Sequence, residues 1–163
     1  MAPQPFARVY LSRHLGMQFM DAFMSAECAL KHGGFGHMQG GAACANWDKF
    51  ASSIKKSFND VADQPFRDAV AYLVQNPPRK QVINGRALKW EEAPPPADAS
   101  ASQQCLLMIR RVRNNLFHGG KNYVMGGADT SERNDKLVTS SLIVLDHVMS
   151  LNQDVHAHYR HGW

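Results

Sequence analysis

The sequence predicts an all-α fold, a helical bundle of about five helices, with one small hairpin and loop segment inserted at about residues 77–100. Three observations carry this. Apolar residues recur at helical spacing over most of the chain. Each periodic run is bounded by a capping residue or by glycine and proline. The one stretch that reads as paired strands is short and lies between proline clusters.

The first helix runs over residues 6–31. Phe6, Val9, Tyr10, Leu15, Phe19, Phe23 and Leu30 form its apolar stripe, with Met17, Met20 and Met24 as core filler. His32-Gly33-Gly34 stops it, because glycine takes the left-handed conformation that ends a helix. Five glycines among residues 33–41 read as a loop. Asn46 or Asp48 starts a second helix reaching about Phe58, with Trp47, Phe50, Ile54 and Phe58 on one stripe. A third runs from about Pro65 to Gln75, capped by Asp63 or Gln64, with proline in the first turn where no amide hydrogen is needed. Asn76-Pro77-Pro78 ends it.

Lys80 to Trp90 reads as a hairpin turning at Asn84-Gly85, and a lone hairpin must pack on the helices to persist. Pro94-Pro95-Pro96 and residues 97–102 connect it to a fourth helix. That helix starts near Ser100 or Ser102, presents Cys105, Met108, Ile109, Val112 and Leu116 on one face, and ends near Phe117 before Gly119-Gly120. A last helix begins near Thr130-Ser131 with Leu137, Ser141, Val144, Leu145 and Val148 inward. The tail, with His156, His158 and His161, shows no clear period.

At 163 residues the chain is expected to form one domain, residues 1–163, with a core that needs no staples. No apolar run approaches the roughly 20 residues of a membrane span, and the first residues lack the pattern of a signal peptide. The three cysteines, Cys28, Cys44 and Cys105, have no CxxC spacing. Disulfide frameworks and zinc ribbons are therefore disfavoured, and a reducing, cytoplasmic location is expected. The net charge is only +4, yet residues 99–128 hold no acidic residue while carrying Arg110, Arg111, Arg113 and Lys121. That local excess suits a polyanion, although charge alone favours the reading of a solvated helix face.

Residues 110–121 read Arg-Arg-Val-Arg-Asn-Asn-Leu-Phe-His-Gly-Gly-Lys. Cleaving RNA without metal requires a base for the 2′-OH proton, positive charge for the phosphate as it becomes more negative, and an acid for the leaving 5′-oxygen. A histidine titrates in the range those proton steps need. An arginine stays charged and grips phosphate oxygens with a fork of N–H groups. Arg113 falls on the last helical turn and His118 just beyond it. An uninterrupted helix would turn the two apart by about 140°, so the glycine pair must fold the imidazole back. No carboxylate neighbours the motif, so no metal and no cofactor is expected there. The competing reading is a helix C-terminus decorated with cations that meet its dipole.

Arg113-Asn114-x-x-x-His118 resembles the signature of HEPN domains, in which an arginine and a following polar residue precede a histidine by four to six positions. The resemblance covers chiefly residues 102–123. It implies a small helical bundle that pairs as a homodimer, often an endoribonuclease of toxin–antitoxin, CRISPR or phage-defence systems. It also implies that Arg113 and His118 are catalytic and that Asn114 orients them. Arg110, Arg111 and Lys121 are expected to contact RNA phosphates. An antitoxin or defence-system partner is a further expectation. Some toxin members carry a tyrosine two residues after the histidine; here that position is Gly120, and Tyr123 is the nearest tyrosine. Two rival readings remain. One is a non-catalytic HEPN module that binds nucleotide, RNA or a partner protein. The other is a helical dimerisation protein with no nucleic-acid role.

Overall fold

A computed structural model describes residues 13–117 and 131–160. Helix α1 spans Arg13–Leu30, and a wide turn over Lys31–Phe35 follows, with Gly34 at φ 87° reversing the chain. The expected start of the first helix, with Phe6, Val9 and Tyr10, lies outside the described residues.

Strands β1 (Gly36–Gln39) and β2 (Ala42–Ala45) pair antiparallel, Gln39 opposite Ala42. The glycine-rich spacing predicts a loop here, and the structure has a hairpin instead. Its residues are mostly exposed, so no alternating pattern marks them. The signal lies in the turn instead: Gly40 and Gly41 both have positive φ, 57° and 82°, as a two-residue type I′ turn requires.

The second expected helix is two. Helix α2 covers Trp47–Ser53 and α3 Lys55–Asp60, separated at Ile54 by a break in helical geometry. Three serine hydroxyls donate back to main-chain carbonyls around the break: Ser52 to Asp48 (2.9 Å), Ser53 to Phe50 (2.7 Å) and Ser57 to Ile54 (3.1 Å). Such bonds compete with the helical ladder and bend it. Asn46 caps α2 by accepting from the Lys49 amide at 3.0 Å. Helix α4 (Gln64–Gln75) is capped by Asp63, which accepts from the Phe66 amide at 2.9 Å.

Strands β3 (Lys80–Asn84) and β4 (Ala87–Glu91) form the expected hairpin, with its turn at Gly85-Arg86 rather than Asn84-Gly85. Only Gly85 has positive φ there, which marks a type II′ turn. The hairpin meets the helices at its base, where Asn115 donates to the Arg79 carbonyl at 2.9 Å. The cross-strand pair Ile83 and Leu88 stays exposed, so the hairpin packs less completely than expected.

Helix α5 (Ala101–Phe117) begins with a reciprocal cap. Ser100 N–H donates to Gln103 Oε1 at 3.0 Å, and the Gln103 amide donates to Ser100 Oγ at 3.4 Å. Helix α6 is Ser131–Met149 and α7 is Gln153–Arg160. No periodic pattern in the tail predicts α7. Asn152 caps it by accepting from the Val155 amide at 3.1 Å. Its inward stripe is only Val155, buried, and Tyr159, half-buried, which is too short to show a period.

The described chain is thus mostly helical, with seven helices and two small hairpins, rather than a purely α bundle. One apolar cluster joins the helices, drawing Phe19, Phe23 and Leu30 from α1, Phe50 from α2, Phe66 and Leu73 from α4, and residues of α5, α6 and α7. Met17 and Met24, expected as core filler, are instead 60% and 54% exposed, while Met20 packs against the core. No described helix is long and apolar enough to cross a membrane.

Candidate nucleic-acid interface

The amphipathic pattern of α5 positions the motif. Ser102, Cys105, Leu106, Met108, Ile109 and Val112 face the core. Burial pushes the Cys105 thiol far up, so it stays protonated and inert. Arg113 follows the last of these core residues and therefore flanks the buried stripe.

The Arg113 guanidinium lies between two rings, 5.3 Å from the Phe23 centroid and 5.2 Å from the Phe117 centroid. One of its terminal nitrogens donates to Asn114 Oδ1 at 2.9 Å. Its Nε is buried and makes no hydrogen bond. The support continues inward: Phe23 stacks on Trp47 at 5.1 Å and 24°, and the Trp47 indole N–H donates to Glu27 Oε1 at 3.1 Å. Arg113, Phe23 and Trp47 thus form a column from the surface into the core. Two long-range contacts make it, α5 onto α1 and α1 onto α2.

The three arginines of the motif diverge. Residues three or four apart share a helix face, so Arg110, Arg113, Asn114 and Phe117 lie together. Arg110 donates to Asp48 on α2 at 3.1 Å, in a largely exposed ion pair. Arg111 points elsewhere. It donates to the Ala93 carbonyl and reaches Met108 Sδ at 3.9 Å, tying α5 to the segment after the hairpin. Desolvation there lowers its pKa. His118 and Lys121 lie outside the described residues, as do Gly120 and Tyr123.

Phe23 and Phe117 join this face without having been singled out for it. Phe23 sits in the α1 stripe as an ordinary core residue, and nothing local marks a partner some 90 positions away. Away from this face, a concavity of about 240 Å³ lies between α6 and α7 beside Asp146, His147, Ser150, His156 and Tyr159. Its His147 is already engaged, with Nδ1 3.1 Å from the Ile143 carbonyl and Nε2 3.5 Å from Asp63 Oδ2. Burial first, and Asp146 second, push the Tyr159 hydroxyl up to about 12. In the tail, His158 stacks on His32 at 5.2 Å. Among the described residues no three His, Cys, Asp or Glu side chains gather where they could hold a metal ion.

What the face around Arg113 can do is bind an anion. It offers two guanidiniums three residues apart, an amide holding one of them, and an aromatic ring beside it. Compared with known proteins, the chain matches no family model, no curated protein and no solved structure.

Proposed function

We propose that the protein is a metal-independent endoribonuclease of the HEPN type, acting as a homodimer. The observation that carries this is the restrained Arg113: a guanidinium set between two aromatic rings and hydrogen-bonded to Asn114, beside Arg110, at the end of α5. A guanidinium with its plane and position fixed in advance costs little reorganisation when charge develops on a phosphate.

In this reading the 2′-oxygen attacks phosphorus and loses its proton to a base, and the bond to the 5′-oxygen breaks as that oxygen gains a proton. The products are a 2′,3′-cyclic phosphate and a 5′-OH. Arg113 stabilises the phosphorane-like charge, Asn114 holds Arg113, and His118 carries a proton. A twofold pairing of two copies supplies a second His118 for the other proton step. Arg110 and Lys121 hold flanking phosphates. Arg111 is the weakest of the expected RNA contacts, since it serves the Ala93 carbonyl.

The test is incubation of the purified protein with tRNA and mRNA in EDTA, beside Arg113→Ala and His118→Ala. Cleavage to cyclic-phosphate ends that falls at least about 10²-fold in each variant supports the reading. Cleavage at the parental rate in both variants overturns it. Binding of RNA that depends on Arg113 without any cleavage assigns a non-catalytic RNA-binding module instead.

A further inference from the structure

Helix α1 carries a column of sulfur atoms along one flank. The large apolar side chains that stand more than half exposed on this helix are Met17 and Met24, both thioethers. Met20 lies between them, packed along the edge of the core, and the half-buried Cys28 follows one turn after Met24. At about 100° per residue the four fall within an arc of roughly 80°. Helix neighbours three and four apart have β-carbons about 5–6 Å from each other. Met17 and Met20, Met20 and Met24, and Met24 and Cys28 are such neighbours. Asp21 shares the arc, and Gln18 and Ser25 flank it. No branched or aromatic side chain enlarges the face, so it lacks the make-up of an apolar docking patch.

What sets the column apart is its donor chemistry. Thioether and thiol sulfurs are soft, polarisable donors, and they select copper(I) over harder cations. We propose that Met17, Met20 and Met24 form a surface site for a soft monovalent cation, copper(I) or silver(I), with the Cys28 thiol adjoining it. Met17 and Met24 stand about 10 Å apart along the helix axis, with Met20 between them. Each is unbranched with three rotatable bonds, so both outer arms can bend toward Met20 and close on one ion without moving the backbone. Met20, seated against the core, gives the site a fixed member, while its two exposed partners leave the ion open to exchange. The inference does not depend on the RNA reading of α5.

The experiment titrates silver(I), a redox-inert stand-in for copper(I), into protein with isotope-labelled methionine methyl groups. Cys44 is replaced by serine throughout, because it is a second half-buried thiol. The methyl signals of Met17, Met20 and Met24 are expected to shift together and to level off at one ion per chain. Those of Met38, exposed on β1, and of the buried Met108 should stay in place. Affinity is then measured against a coloured copper(I) chelator. Met17→Leu and Met24→Leu keep an apolar side chain of similar volume at exposed positions, so the fold and any apolar contact survive them. Replacing even an outer partner of a metal site costs about 10–100-fold, so each variant should weaken the ion at least about tenfold. Native affinity in the double Met17→Leu/Met24→Leu variant overturns the site. So does an ion that is lost in Cys28→Ser but kept in the double variant, because a single thiol then explains it. Zinc(II) that shifts the three methyl signals as silver(I) does overturns the soft-donor assignment.

Discussion

The Arg113 guanidinium stands 5.3 Å from the centroid of Phe23, across the junction of α5 and α1. The contact fixes a planar, forked cation, and a lysine ammonium has neither the plane nor the fork. On the ribonuclease reading proposed above, Arg113→Lys is therefore expected to cut cleavage by about 10²–10³-fold. The fold should lose only about 0.5–1 kcal/mol of cation–π attraction. Parallel rate and thermal-melting measurements check both halves. Near-native cleavage by the lysine variant would refute the geometric role.

Asp48 neutralises Arg110 at 3.1 Å and also sits in the first turn of α2. An exposed pair is worth at most about 1 kcal/mol, and an acidic first-turn residue a similar amount. Asp48→Asn should cost little stability while releasing Arg110 toward polyanions. On the RNA-site reading proposed above, tighter RNA binding and a steeper salt dependence, by about one ion released, are expected. Fluorescence titrations across a salt series measure it.

Gly33 fits under α7. A β-carbon placed there would lie 2.7 Å from Val155 Cγ2 and 3.0 Å from the Val155 backbone. Gly33→Ala should destabilise the protein by about 1–3 kcal/mol through overpacking. Because the shortest contact is to a side chain, adding Val155→Ala should recover part of that loss. Denaturant titrations of both singles and the double form the cycle; strict additivity would contradict the close approach.

The raised Tyr159 hydroxyl makes a prediction at alkaline pH. A free tyrosine ionises near 10, whereas the folded protein holds Tyr159 neutral to about 12. Folding thus keeps the proton that the unfolded chain gives up. The associated stability is intact below the unfolded value and is lost as pH rises from there through the folded one. Native protein should lose stability across this window faster than Tyr159→Phe. Melting temperatures taken through the window decide it, and parallel curves would mean that the hydroxyl is not held.

The long helices were legible because their stripes are long. Phe19, Phe23 and Leu30 in α1, and Leu137, Val144, Leu145 and Val148 in α6, all reach the core as their spacing implies. Caps were legible too: Asn46 and Asp63 bond the amides expected of them. What escaped was short or non-local. Helix α7 has one buried residue, Val155, whose seat is built by Gly33 more than a hundred positions earlier. The β1–β2 hairpin has no alternation, only a glycine pair. Of the proposed site, the order of residues in the chain singled out Arg113 and Asn114, but the ring against Arg113 was not legible, because the contact with Phe23 depends on how α1 crosses α5. Arg110 and Arg111 looked equivalent as letters, yet one residue of helical rotation sends them to Asp48 and to the Ala93 carbonyl.

The start of α5 is held by the Ser100–Gln103 cap and by the Ser102 hydroxyl, which donates to the Ala51 carbonyl at 2.8 Å. Arg113 rides the opposite end, some three turns on at 3.6 residues per turn. Arg111, on the Ala93 carbonyl, and Asn115, on the Arg79 carbonyl, hold its far half as well, so the helix acts as an axle gripped along its length, and its angular setting decides where the guanidinium points. Inserting a single residue midway would swing Arg113 by about 100°, off Phe23, and would carry Arg111 and Asn115 off their carbonyls with it, while leaving the Ser100–Gln103 cap untouched.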